Sequence, residues 1–252
     1  MRVRRPDFRI AAFSDVHGNI HGLRSVLDAI GQVGADAVVC CGDLLGGGGG
    51  AQEVIDLLHE KDVLVVRGNH DEDGKDFAKT LASIPAAHRA WAEATRDWLL
   101  KFLDAGTLDM MAELPASRVI EAGNGRSVFV CHAAPEDNRA WANGPDIDTD
   151  RLERLFAAVR QEVVVYGHFH QHHVQFAAGK TLVNVACVGM RYDGLAAFTF
   201  LDLLGDRWMV QQHHAPYDLD AEWRLIYDRQ APLPNFDFLH FPQVFGAVRR
   251  LT

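Results

Sequence analysis

Five times along the chain a short apolar run stops at a turn that carries carboxylate, amide or imidazole side chains and no thiolate. The fullest case is Leu64-Val65-Val66-Arg67-Gly68-Asn69-His70-Asp71. Its β-branched start reads as a buried strand, and Gly68 ends it. A strand ending this way delivers its polar groups to the sheet edge where open α/β folds keep their ligands. The other cases are Asp15 and His17 after Phe8–Phe13, Asp43 after Ala37–Cys41, His132 after Val128–Cys131, and His168 with His170 after Val163–Tyr166. Singly, each has an ordinary explanation. An Asp caps a helix or turn, a His is a hydrogen-bonded core residue, and His-Phe-His merely alternates along a strand. Recurrence after five strands points instead to one shared site.

The spacing between these runs sets the fold class. Between the first two strands Ile20, Leu23, Leu27 and Ile30 fall on one helical face, closed by Gly31 and Gly34. After the glycines 46–50, residues Val54, Ile55, Leu57 and Leu58 make a second helix before the Leu64 strand. Strand, helix, strand, helix, strand is a βαβαβ unit with a parallel sheet and right-handed crossovers. Residues 77–114 read as helical, with Trp91, Trp98, Leu99 and Phe102 on one face and Pro115 as the stop. Val119–Glu121 and Val128–Cys131 flank Gly123-Asn124-Gly125 as a hairpin. Residues 149–160 form an amphipathic helix, and Thr181–Val185, Ala196–Leu201 and Trp208–Val210 read as later strands. The first half is thus mostly parallel and the second largely antiparallel.

At 252 residues and 48% hydrophobic, the chain suits one large domain. Its expected parts are a core over about 8–212, a helical insertion over about 77–114 and a tail over about 218–252. The tail has a helix over Ala221–Tyr227 and interleaves Pro232, Pro234 and Pro242 with Phe236, Phe238 and Phe241, which suits an ordered wrap over the body. A formal charge of -9 argues against a general nucleic-acid or anionic-membrane surface. The start Met1-Arg2-Val3-Arg4-Arg5 runs into Pro6 and Asp7 rather than an apolar segment, so a signal peptide is not expected. No apolar stretch approaches the ~20 residues a bilayer crossing needs. The four cysteines, Cys40, Cys41, Cys131 and Cys187, lie in apolar surroundings without a Cys-x-x-Cys pair, as buried free thiols of a cytoplasmic protein do. A homo-oligomer is compatible with all of this.

Carboxylate, amide and imidazole donors together suit intermediate first-row ions. There are too many for one catalytic ion and enough for two that share a carboxylate, the arrangement that clamps displacement at phosphorus.

At these residues the sequence resembles the calcineurin-like metallophosphoesterases. Their Asp-x-His, Gly-Asp, Gly-Asn-His-Asp/Glu, later His and Gly-His-x-His pattern is met in order by Asp15-Val16-His17, Gly42-Asp43, Gly68-Asn69-His70-Asp71, His132 and Gly167-His168-Phe169-His170. The start Ser14-Asp15-Val16-His17-Gly18-Asn19 is similar to that of the smaller bacterial and archaeal phosphoesterases, as are Leu114-Pro115 and Asn184–Gly189. The likeness covers about residues 8–230. It implies an α/β fold, a four-layer α-β-β-α sandwich of two mixed β-sheets flanked by helices. It also implies two divalent metal ions, manganese first, with iron, zinc and nickel as alternatives. Asp15, His17 and His170 would bind one ion, Asn69, His132 and His168 the other, and Asp43 would bridge them. A hydroxide shared by the ions would attack the P–O bond. His70 would protonate the leaving oxygen or stabilise the transition state, and Asp71 would orient the site from behind. Asn69 and His70, with Arg139 and Trp141, are the candidate substrate contacts.

The implied activity is a phosphodiesterase on small, nucleotide-like phosphorylated substrates. A phosphomonoesterase, a phosphoprotein phosphatase or a dinucleoside polyphosphate hydrolase would use the same centre. A non-catalytic scaffold on the same fold, like a retromer subunit, is the competing class; such relatives tend to lose ligands that this chain keeps. Two departures from the family pattern stand out. The glycines 46–50 replace a Gly-Tyr-Gly-Pro loop and, without a following Gly-Lys-Ser/Thr, read as a flexible lip rather than a phosphate cradle. Ala186-Cys187 replaces Gly-Ser and touches the backbone behind the metals. His172, His173, His213 and His214 match no family ligand and read as surface or structural.

Overall fold

The computed structural model describes residues 5–72, 77–140 and 149–233. Strand β1 (Phe8–Phe13) leads into helix α1 (Ile20–Val33), strand β2 (Ala37–Cys40), helix α2 (Ala51–Glu60) and strand β3 (Leu64–Val65). The βαβαβ unit is as read, with β1, β2 and β3 parallel and Ile10 opposite Ala37. Helices α3 (Phe77–Ser83), α4 (Ala86–Leu99) and α5 (Ala105–Ala112) follow, then the hairpin β4 (Ser117–Gly123) and β5 (Arg126–Cys131). Helix α6 (Thr149–Phe156) precedes β6 (Val163–Tyr166), β7 (His172–Ala177), β8 (Lys180–Val185), β9 (Leu195–Leu204), β10 (Arg207–Pro216) and helix α7 (Leu219–Arg229).

These strands form two five-stranded mixed sheets, ordered β10-β9-β1-β2-β3 and β4-β5-β6-β8-β7. Alternate side chains of each sheet meet in one apolar layer, where Ile10, Ala12, Val39 and Val66 pack with Val128, Val130, Val165 and Val183. The outer face of the first sheet is covered by α1, α2, α4 and α7 through Leu23, Val54, Trp98 and Trp223. The outer face of the second is covered by α6 through Leu152 and Phe156. The expected four-layer sandwich is therefore what the chain forms. Among the described residues, no helix is long and apolar enough to cross a membrane.

Several local readings change. The segment 77–114 is three helices, because Pro85 caps α4 with an extended backbone and Asp104 turns its carboxylate onto the Thr107 N–H (2.7 Å) to begin α5. Gly31 lies inside α1, which ends at Gly34, and α6 stops at Phe156. Strand β7 has no clear sequence signal: it is a half-exposed edge strand whose identity comes from pairing with β8, His172 opposite Val185. Strands β9 and β10 pair over ten residues each, longer than their apolar centres suggested. The glycines 46–50 are not a lip. They are buried against neighbouring backbone, Gly50 donating to Gly18 O (2.9 Å), and a Cβ at Gly49 would meet Leu225 of α7 at 2.8 Å. Gly48 likewise donates to His17 O. At Gly47 to Gly50 another segment occupies the space a side chain would need, whereas Gly46 is set by its left-handed backbone, φ 85°.

The four cysteines are buried and free. Burial pushes each of the thiols up, and the Tyr192 phenol with them. Folded values above unfolded ones mean their contribution is complete below about pH 8.5 for thiols and pH 10 for the phenol, and drains away above, at about 1.4 kcal/mol per pH unit for each group. The melting temperature by circular dichroism is expected to fall steeply above about pH 9; a flat profile to pH 11 would contradict these placements.

Candidate metal centre and cleft

Each metal-binding candidate sits just beyond the C-terminal end of a parallel strand: Asp15 and His17 after β1, Asp43 after β2, Asn69 and His70 after β3, His132 after β5, and His168 and His170 after β6. Two sheets thus feed one edge of the sandwich. Asp15, His17, Asp43, His168 and His170 all take the left-handed backbone, with φ between 47° and 71°. That conformation costs energy for any residue with a Cβ, least for Asp and His among larger side chains, and it concentrates where side chains must converge.

Two trios result. Asp15, His17 and His170 bring their donor atoms within 4.8 Å of one another, and so do Asp43, His132 and His168. In the first, His170 Nε2 lies 3.2 Å from Asp15 Oδ1 and 3.2 Å from His17 Nε2. In the second, His132 Nε2 lies 3.3 Å from Asp43 Oδ2 and 3.0 Å from Asn69 Oδ1. Asp43 Oδ2 is also 3.7 Å from His17 Nε2, so this carboxylate stands between the trios.

The hydrogen bonds behind the rings determine what they offer in front. His17 Nδ1 faces Leu45 O (3.1 Å) and His132 Nδ1 faces Cys41 O (2.7 Å). A carbonyl only accepts, so each Nδ1 carries the proton and each Nε2 is left to face acceptors. Each Nε2 can there give its lone pair to a cation or carry a proton toward the carboxylates. Burial by itself would lower the His132 imidazole, yet the Asp43 carboxylate lifts it to about 9. His170 is likewise raised by Asp15 against its burial. Asp15 Oδ2 accepts the His168 N–H (2.9 Å), whereas its Oδ1 is buried without a hydrogen bond of good geometry. Carboxylates, imidazole nitrogens and an amide oxygen that all point inward are a donor set for divalent cations, and the residues fit two of them.

Supporting residues hold these donors in place. Asp43 Oδ1 accepts the His70 N–H (2.8 Å). Buried Asp71 accepts three backbone N–H groups, from Asp43 (2.9 Å), Leu44 (2.8 Å) and Gly68 (2.8 Å), so it binds the β2 and β3 turns together. Burial, then the Asp43 charge, lifts its carboxyl to about 6. Asn184, wholly buried, donates to Gly167 O and accepts the Ala186 N–H (3.0 Å), fixing the turn before His168. Ala186 itself takes φ 60°. At Gly68 the constraint is space: a Cβ would fall on the Asp43 carboxylate. Gly68→Ala is expected to cost at least about 2 kcal/mol of stability and to lower metal content, read by thermal melting and elemental analysis.

The trios open into a cleft of about 330 Å³, lined on one side by His17, Asp43, Asn69, His70, His168 and His170. Its far wall comes from the α3–α4 turn and α4, with Ile84, Pro85, Trp91, Ala92 and Thr95, and from Met190. Burial pushes the His70 imidazole down to about 3, and its ring meets Trp91 edge to face at 5.4 Å. Arg139 lines the cleft and is clamped by Asn69 O (3.0 Å) and Glu72 Oε2 (3.1 Å). Trp141 lies outside the described residues, as do Phe236, Phe238 and Phe241. His172 and His214 pair ring to ring at 4.9 Å between β7 and β10. Thr95 and Met190 were not foreseen as parts of the site, because each reaches the cleft only through packing, and Glu72 enters through its contact with Arg139.

A sequence profile described as the calcineurin-like phosphoesterase superfamily domain matches residues 8–205. An uncharacterized protein of Methanocaldococcus jannaschii is 25% identical over 241 residues, covering 88% of this chain and 93% of the relative. Among solved structures, a hypothetical protein of Pyrococcus horikoshii OT3 superposes with a TM-score of 0.75 at 18% identity, covering 89% of this chain and 94% of the other. A metallophosphoesterase of Sphaerobacter thermophilus superposes with a TM-score of 0.65 at 21% identity, covering 90% and 95%. These two likenesses show the same fold. With the profile spanning most of the chain over the very strands that carry the donors, the protein belongs to the calcineurin-like phosphoesterase superfamily.

Proposed function

We propose that the protein is a phosphoesterase dependent on two divalent metal ions, acting on phosphodiester bonds of small nucleotide-like substrates. The observation that carries this reading is Asp43, whose Oδ2 lies 3.3 Å from one trio's imidazole and 3.7 Å from the other's. Asp15, His17 and His170 would hold one ion, His132, His168 and Asn69 the other, with Asp43 shared. When bound, such ions lower the pKa of water toward neutrality and offset charge on phosphoryl oxygens. Around them, Arg139 directs a guanidinium fixed by Glu72 toward the phosphate. His70 enters neutral and offers a ring N–H to the oxygen that gains charge.

The cleft's dimensions favour small molecules over a protein surface. Purified protein loaded with manganese should hydrolyse bis-p-nitrophenyl phosphate, with about two ions per chain by elemental analysis. A chain that stays metal-free after loading would instead be a scaffold. Faster turnover of phosphomonoesters, a phosphoprotein or a dinucleoside polyphosphate in a matched screen would replace the diesterase assignment.

A further inference from the structure

A groove of about 420 Å³ lies between α2 and α5 and shares no lining residue with the cleft. Its walls are apolar: Ile55 and Leu58 of α2, Val65 of the edge strand β3, Met110 and Met111 of α5, and Leu114. Met110 is 54% exposed there. Carboxylates stand at the border, Asp56 in the lining and Asp62 next to Val63. The end of α7 reaches the helix that forms one wall and the turn that leads into the other. Arg229 pairs with Glu53 of α2 (2.6 Å), and its guanidinium lies over the Phe102 ring (5.3 Å) shortly before α5. Trp98 Nε1 donates to the Arg229 carbonyl (2.7 Å). Leu233, the last described residue, packs on the same apolar layer as Leu44, Leu58 and Met111.

We infer that this groove seats the chain's own C-terminal segment, with phenyl rings from Phe236–Phe245 in it and Arg249-Arg250 at its carboxylate border. Length and origin allow it. Each extended residue spans about 3.3 Å, so residues 234–248 can cross from Leu233 and follow α2, about 15 Å for its 10 residues. Composition favours it. Phe236, Phe238, Phe241 and Phe245 stand with Leu239 and Val244 against a single acid, Asp237, and each ring that leaves water buries about 150–250 Å². Charge orients it, because two adjacent arginines on a chain of formal charge -9 meet Asp56 and Asp62 at the border. The cleft, though close to Pro232, is the poorer seat. Phenyl rings there would cover Asp43, Asn69 and the imidazoles without offering them a hydrogen bond. Attachment to α7 keeps the segment at an effective concentration on the order of millimolar, so modest contacts suffice. Nothing in this seat depends on metal ions or on a substrate.

The test uses the full chain, whose methionines report separate places: Met110 and Met111 the groove, Met190 the cleft and Met209 the edge strand β10. The four cysteines are buried and free, so a nitroxide placed on Gly246→Cys labels the segment alone. Methyl NMR of methionine-labelled protein, before and after reduction of the nitroxide, should show Met110 and Met111 broadened and Met190 and Met209 spared. Met110→Glu puts a charge under the rings at an exposed position and should release the segment, so that the Met111 signal recovers. Chymotrypsin should then cut after Phe238 and Phe241 at least about tenfold faster than in the parent, because cleavage follows the population of the open form. Thermal melts check folding. If Met110→Glu melts early, Phe238→Ser combined with Phe241→Ser carries the same Met111 readout. Broadening at Met190 instead would put the segment over the cleft, and broadening at Met209 would put it on the sheet edge. Either result overturns the inference, as does a chain with no methionine broadened. A mixture of spin-labelled chains and separate methionine-labelled chains should stay sharp; broadening there would make a second copy the donor of the segment and overturn the seating within one chain.

Discussion

Replacing Asp43 with alanine is expected to lower turnover at least about a thousandfold, roughly 4 kcal/mol in the barrier. The Asp43 carboxylate stands between the two trios. Its Oδ2 lies between His132 and His17, and its Oδ1 accepts the His70 N–H at 2.8 Å. Alanine removes the shared carboxylate and frees the His70 turn together. Metal content should fall from two ions per chain toward one, measured by elemental analysis on matched samples. Asp43→Asn keeps the shape and the acceptor for His70 but not the charge, so its fold should persist while metal content still drops. An Asp43→Ala protein that keeps both ions and near-parental turnover would refute the bridging role.

His70→Ala should separate chemistry from metal binding. The ring is not a member of either trio, and the backbone N–H that holds Asp43 is retained in alanine. A loss of about 10²–10⁴ in kcat is expected, the range for a positioned proton-transfer or hydrogen-bonding group, with two ions still bound. Because the ring also leans on Trp91 at 5.4 Å, a modest rise in KM should accompany it. Unchanged kcat would remove His70 from the reacting atoms; a parallel loss of metal would make it part of the cation site.

Much of this was legible before any fold was in view, and the reasons are local. A β-branched run that ends in glycine becomes a strand with its next side chains at the sheet edge, whatever it packs against. Asp15-Val16-His17 and Gly167-His168-Phe169-His170 can only offer oxygen and nitrogen donors. Less local features were harder to read. Strand β7 exists because β8 pairs with it, and its own residues alternate too weakly to announce a strand. The glycines 46–50 suggested freedom, but Gly48, Gly49 and Gly50 are glycines because Gly18, Ile20 and Leu225 press against them. Arg139 was visible as a cation, whereas the Glu72 that aims it became relevant only when the β3 turn met the loop after β5.

The sequence by itself determined the kind of chemistry: which donors are present, that each follows a strand, and that the chain winds as βαβαβ. Tertiary structure decided the geometry. Packing of two sheets face to face brought Asp43 and His132, 89 positions apart, to 3.3 Å, and laid α4 over the cleft to give it an apolar wall. Side-chain type and local backbone preference are written residue by residue. Which distant turns meet depends on how two twisted sheets bury their common faces, and that free energy belongs to no single segment.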